Sequence, residues 1–280
     1  MGVLLALCAA VGWGCSGFLG GLGARRVSAA TVVVAGQGVG LALGLAAIPL
    51  LGADWPGAAV AGAAVAVGMA NGLGLAALYH AYGHGEIARA APLLAAAPLV
   101  PLAVGTLSGE APRSLQLAGA LVAIAGIVLV SAPAPGTAAP VAEARLRLLV
   151  VFATVTFGFV LLGMAEVSRH DPLIALVASR LGAAVALLLL AAAGAVGAIE
   201  RPRGAALGLL MAMGAVDLVA TGLYGLAARA ELYSVAAVLA SLFPVVTTGL
   251  SLALLGERLS RVQLAGVAST FAGGALVVAG

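Results

Sequence analysis

Apolar runs of about 20 residues follow one another along the whole chain, broken only where charges, prolines and turn residues cluster. A helix needs about 20 mostly apolar residues to cross a bilayer. The runs therefore predict helices near 3–23, 29–51, 57–80, 87–107 and 114–132, then near 146–167, 172–197, 205–228, 232–255 and 261–279. That makes ten spans. The connections are short, so sequence neighbours are expected to be antiparallel and no soluble domain fits between them. The longest polar stretch, 132–147, is rich in proline and small residues and is not expected to continue a helix. It separates a unit over 1–132 from a unit over 146–280, with a linker at 133–145. The first run has no basic residue ahead of it and exceeds a signal-peptide core, so it reads as a retained helix.

The two units carry matching residues. Q-L-A-G stands at 116–119 and again at 263–266, an offset of 147, and each copy follows a Gly-Glu pair, Gly109-Glu110 and Gly256-Glu257. Upstream the offset is 146, which pairs Pro98 with Pro244, Gly68 with Gly214 and Asn71 with Asp217. It is 144 for Trp13-Gly14 with Phe157-Gly158, and 143 for Gln37 with Arg180. Slow drift of this kind is what single-residue gaps leave in an old duplication. Five spans per unit is an odd number, so the second copy must enter the membrane from the opposite side. Two inverted five-helix repeats follow. Inverted repeats recur in secondary transporters, where exchanging the conformations of the halves alternates access to a midplane site; some channels share the plan.

Composition narrows the class. The chain is 63% hydrophobic and 8% charged, against roughly 25% charged for an ordinary soluble domain. Thirteen basic residues, none of them lysine, outnumber ten acidic ones for a net charge of +3. So few charges cannot cover a soluble surface, and the scattered arginines form no stripe for nucleic acid. A soluble enzyme, a disordered protein and a single-anchor protein are excluded. The expected class is an all-α polytopic membrane protein whose partners are the lipid bilayer and a small-molecule substrate. The 40 glycines point to helices packed through small-xxx-small faces, with Gly36, Gly40 and Gly44 in one stripe and Gly68 and Gly72 in another. Cys8 and Cys15 read as small packing residues rather than a disulfide, metal or redox pair.

Several features together resemble the drug/metabolite transporter superfamily, its EamA-like members in particular. They are ten spans in two repeats, Trp13-Gly14 in span one, Arg180 within span seven, and a proline, G-E, Q-L-x-G series at 98–119 and 244–266. The resemblance covers essentially the whole chain. It departs at Gln37, where the pattern favours arginine, and at Phe157, where it favours tryptophan. It implies a secondary transporter of the inner (plasma) membrane that exports small metabolites, amino acids or related compounds. Transport would be coupled to H+ or run downhill. A multidrug or cation exporter is the alternative in the same class, although span one has no acidic residue at its middle. A membrane-embedded enzyme on lipid-linked substrates is the alternative from another class.

Ionisable groups at membrane depth are costly and mark candidate function. Asp217 lies near the centre of span 205–228, and Asn71 holds the same depth in span three. Facing each other across a cavity, they would contact substrate, with Asp217 as the proton-coupling group; an interhelical hydrogen bond is the structural alternative. Arg180 could fork onto a substrate carboxylate or phosphate, or pair with Asp217 or Glu166. Gln37, Trp13, Tyr79, His80 and Tyr224 complete the expected pathway, with His80 as a proton-responsive group. Tyr79 and Tyr224 would otherwise join Tyr82 and Tyr233 in an interfacial belt. His80, His84 and Glu86 lack a third inward ligand, so no metal, cofactor or catalytic set is expected. Glu110 and Glu257 are expected to cap helices or pair with Arg113 and Arg258. Pro98 and Pro244, inside spans four and nine, are hinge candidates. Three arginines (Arg113, Arg169 and Arg229) share the side of the termini and nine lie opposite. That count favours external termini, whereas the resemblance implies cytoplasmic ones.

Overall fold

The computed structural model describes residues 1–84, 87–97, 99–107, 113–130, 141–194, 196–230, 236, 239–256 and 259–279, and all regular structure there is helical. In chain order the helices are α1 (Gly2–Ala24), α2 (Ala29–Leu51), α3 (Ala58–His84) and the short α4 (Ile87–Ala90). A 3₁₀ segment (Ala91–Ala96) leads to α5 (Leu99–Leu107) and α6 (Ser114–Val130). Then come α7 (Val141–Ser168), α8 (Pro172–Ala192), α9 (Gly204–Ala230), α10 (Phe243–Leu255) and α11 (Arg261–Ala279). Six of them, α1, α2, α3, α7, α8 and α9, are long and apolar enough to cross a membrane.

Two expectations change here. Pro244 does not bend the interior of a long helix. It stands in the first turn of α10, after a turn at Ser241 and Leu242. Its missing N–H falls where no intrahelical partner exists, so proline starts this helix at no cost in hydrogen bonds. Pro98, Glu86, Glu110, Tyr233, Glu257 and Arg258 lie outside the described residues. The helix expected from 146 begins at Val141. After Pro140 the sequence V-A-E-A-R-L-R contains strong helix formers and no breaker, so the helix propagates back into the expected linker.

Helix starts are fixed by side chains. Ser28 caps α2, its Oγ accepting from the Thr31 N–H at 3.2 Å, and Asp171 caps α8, accepting from the Ile174 N–H at 2.8 Å. The loops before these helices also reach across the fold: Ser28 N–H donates to Glu200 Oε1 at 3.2 Å, and Asp54 N–H donates to Asp171 Oδ2 at 3.0 Å. The glutamine of each Q-L-A-G segment caps its own helix. Arg113 N–H donates to Gln116 Oε1 at 2.9 Å, and Ser260 N–H donates to Gln263 Oε1 at 2.8 Å. Ser260 Oγ accepts in return from the Gln263 N–H, which completes a reciprocal capping box.

Between helices, α1 packs on α9 and α7 on α3, while α2 lies against both α8 and α9 and α3 against α8. The helices α6 and α11 pair with each other. Close approach depends on glycine, since van der Waals contact rather than hydrophobicity drives helices together in lipid. A Cβ on Gly68 would meet the backbone of Ser179, and one on Gly214 the carbonyl of Gly36. One core cluster gathers Tyr79, Tyr82, Leu187 and Met213; a second gathers Ala6, Leu161, Tyr224 and Ala227. Leu4, Leu121, Phe159, Leu188 and Val219 are exposed, which suits an outer surface facing acyl chains.

Candidate functional site

A cavity of about 90 Å³, room for several waters, opens between α1, α3, α7, α8, α9 and the start of α10. Its wall is mostly apolar, formed by Phe157, Leu161 and Met164 of α7, Leu75 of α3 and Phe243 of α10. The polar part is carried by Trp13 and Ser16 of α1, Asn71 and Tyr79 of α3, Arg180 of α8, and Asp217 and Thr221 of α9. Asp217 and Thr221 are one helical turn apart and so share a face.

These side chains form one network. The Arg180 guanidinium pairs with the Asp217 carboxylate. The same Nη1 donates to Gln37 Oε1 at 2.9 Å, and Nη2 donates to Thr221 Oγ1 at 2.7 Å and to the Asp217 carbonyl at 3.2 Å. Thr221 Oγ1 also accepts from the Trp13 indole at 3.1 Å and donates to the Asp217 carbonyl at 2.8 Å. Ser16 Oγ lies 3.4 Å from Asp217 Oδ1. The Arg180 side chain is only 3% exposed and that of Asp217 17%, so the carboxylate meets the cavity and the guanidinium sits behind it. Gly40 gives this route room, because a Cβ there would stand 3.3 Å from both Cδ and Nε of Arg180 and press on them. Two buried donors, Gln37 Nε2 and Arg180 Nε, have no hydrogen-bond partner among the described residues.

Aromatic rings close one side. Trp13 stands 5.3 Å from Tyr224 and 6.2 Å from Phe243, edge-on to the latter. The Tyr224 hydroxyl donates to the Leu161 carbonyl at 2.9 Å, tying α9 to α7.

Of the residues singled out in the sequence, Trp13, Asn71, Tyr79, Arg180, Asp217 and Tyr224 converge on this cavity. Gln37 is buried behind Arg180 and reaches the cavity only through it. His80 is a correction: it is exposed, its ring stacks on that of His84 at 4.3 Å, and it does not line the cavity. The reason is helical phase, since Tyr79 turns inward and the next residue points about 100° away. Glu166 pairs on the surface with Arg169 at 3.0 Å. Both cysteines are free, and no cluster of three metal-ligating side chains occurs among the described residues. Thr221 and Ser16 were missed. Their only signal was spacing: Thr221 follows Asp217 by four residues, and Ser16 follows Trp13 by three.

An all-helical fold with, among the described residues, six membrane-length apolar helices, five of which line a charged, aromatic-walled cavity, defines a multi-pass membrane protein. The EamA-like transporter family matches this sequence twice, over residues 1–132 and 146–279, and the chain belongs to that family. It is accordingly a membrane transporter of the drug/metabolite type. Twenty-one chains of solved structures match it; one of them, a crystal structure of a protein 20% identical in sequence, superposes with a TM-score of 0.74 over 98% of this chain and 95% of its own. No curated protein matches the sequence.

Proposed function

We propose that this chain is a secondary transporter of the inner (plasma) membrane. It exports small metabolites, amino acids or related compounds, by alternating access around the cavity of Arg180 and Asp217. The arrangement is ten spans in two inverted five-helix repeats with both termini in the cytoplasm. Asp217 is the proton-coupling group. The observation that carries the reading is the cavity itself: helices of both halves build it, and its ionisable pair lies within two membrane-length apolar helices.

Reciprocal contacts support the repeat. A Cβ on Gly14 would meet Val246 and the Phe243 carbonyl, and one on Gly158 would meet Val100 and the Ala97 carbonyl. Each partner in the second contact matches one in the first at the offsets read from the sequence. Likewise Gly126 abuts Gly266 and Thr270, while Gly273 abuts Gly119 and Ala123, all at an offset of 147. In an inverted repeat, exchanging the two sets of contacts between conformations opens the cavity first to one side and then to the other. The helix break before Pro244 is the flexible element in this exchange, because the chain at Ser241 and Leu242 turns without α-helical hydrogen bonding. Flux into sealed proteoliposomes tests the reading, with labelled amino acids and an imposed pH gradient. Gradient-dependent uptake supports it; product formation in detergent without flux favours an enzyme.

A further inference from the structure

We infer that the cavity selects its substrate by a positively charged amino group, received on the open oxygen of Asp217, and that Arg180 is the counter-charge of Asp217 rather than a contact for anions. The inference rests on the transport reading and gives it a substrate class.

The argument begins with the donors of Arg180. A guanidinium has five N–H groups and no acceptor. Nη1 serves Gln37 and Asp217, and Nη2 serves Thr221 and the Asp217 carbonyl. The one donor without a partner among the described residues, Nε–H, is buried against Gly40, so none is presented to a carboxylate or phosphate in the cavity. An anion would have to dismantle the network first, and would then find the carboxylate of Asp217 beside it.

Asp217 is arranged the other way. A carboxylate offers about four lone-pair sites. Oδ2 faces Arg180, while Oδ1 has, among the described residues, only the Ser16 hydroxyl, at 3.4 Å. Asp217 is the more exposed member of the pair, and among the described residues the two are the only charged ones lining the cavity. An ammonium group, with three donors, fits the open oxygen. Trp13, Tyr224 and Phe243 stand together on the wall of the same cavity, and aromatic faces attract cations once water is removed. The Asn71 amide and Tyr79, on the α3 wall, can take the polar end of a substrate that carries more than its amine. Simple amines and amino acids both meet these terms; carboxylates and phosphates without an amine do not.

The test uses three probes of nearly equal shape: benzylamine, benzyl alcohol and benzoate. The chain has two tryptophans, and Trp55 is 69% exposed and outside the cavity. Trp55→Phe therefore leaves Trp13 as the single reporter. Titrated at neutral pH in lipid nanodiscs, benzylamine should change Trp13 emission saturably and at least tenfold more tightly than benzyl alcohol, with no saturable response to benzoate. Adding Asp217→Asn should erase the preference for the amine. Benzoate binding as tightly as benzylamine, a preference that survives Asp217→Asn, or no saturable response to any probe would each overturn the inference. The ranking in the Trp55→Phe protein decides the matter even if the double variant fails to fold. Flux is scored separately in liposomes: flux without preference for amines overturns the substrate class and leaves transport standing, whereas no flux at all overturns transport.

Discussion

Arg180 donates a hydrogen bond of 2.9 Å to Gln37, and the two residues stand 143 positions apart on α8 and α2. The same offset separates Asp171 from Ser28, the residues that cap those two helices. In two units related by a two-fold rotation, only residues near the axis can touch their own counterparts. On the repeat proposed above, α2 and α8 therefore flank the axis, and the ion pair of the cavity hangs from it.

Breaking that pair from the arginine side should cost stability. Arg180→Met leaves the Asp217 carboxylate without its counter-charge, a change that typically costs about 3 kcal/mol. Removing the stranded charge as well, in Arg180→Met/Asp217→Asn, should recover most of the loss, because the two sites share one network. Thermal unfolding of both variants in one detergent checks this. A double variant as unstable as the single one would mean that Arg180 acts through packing, not charge.

How far this site was legible in the sequence follows from the same chemistry. Asp217 and Arg180 stood out because charges inside apolar runs are rare. Asn71 and Gln37 stood out only as their counterparts at a fixed offset. Thr221 gave no such signal, since a threonine in a membrane helix satisfies its hydroxyl on its own backbone and is unremarkable there. His80 was misplaced because its polarity was weighed before its phase relative to Tyr79. The breaks in spans four and nine were hidden by unbroken apolarity: hydropathy measures length in the bilayer and is blind to where a proline starts a helix. The glutamine caps were missed because the neighbouring glutamates offered a more familiar partner for the free N–H groups.

The helix start at Pro244 makes a prediction about movement. Pro244→Ala restores an N–H in the first turn of α10 and lets the helix extend back through Ser241. The break should stiffen, so turnover should fall several-fold while equilibrium binding of substrate persists, because Phe243 and the rest of the cavity wall remain. Parallel flux and binding measurements separate these. Equal losses in both would mean that Pro244 shapes the cavity; no loss in either would leave the break without a role in transport.

Two glycines distinguish packing from mere composition. Gly68→Ala drives a methyl group into the backbone of Ser179, an overpacking expected to cost about 1–3 kcal/mol. Gly38→Ala has nothing within 4 Å and should leave stability unchanged or raise it by up to about 1 kcal/mol. Unfolding midpoints of the two variants check the contrast, and similar values for both would contradict the close approach of α3 and α8.

Orientation is settled by a reporter fused at Gly280. The proposed topology predicts activity of a cytoplasmic reporter only. Activity of a periplasmic or external reporter would place the nine opposing arginines inside, as their count alone favours.

The central claim is that this chain moves small molecules through the cavity of Arg180 and Asp217. The most direct measurement is counterflow in sealed proteoliposomes preloaded with unlabelled amino acids, comparing the wild-type protein with Asp217→Asn. The account predicts transient, pH-dependent accumulation of labelled substrate by the wild-type protein, and loss of that pH-dependent accumulation in a variant that still reconstitutes as a folded protein. Accumulation with the same pH dependence in both would reduce Asp217 to a contact between helices, and no accumulation by folded wild-type protein for any amino acid or amine offered would contradict the account.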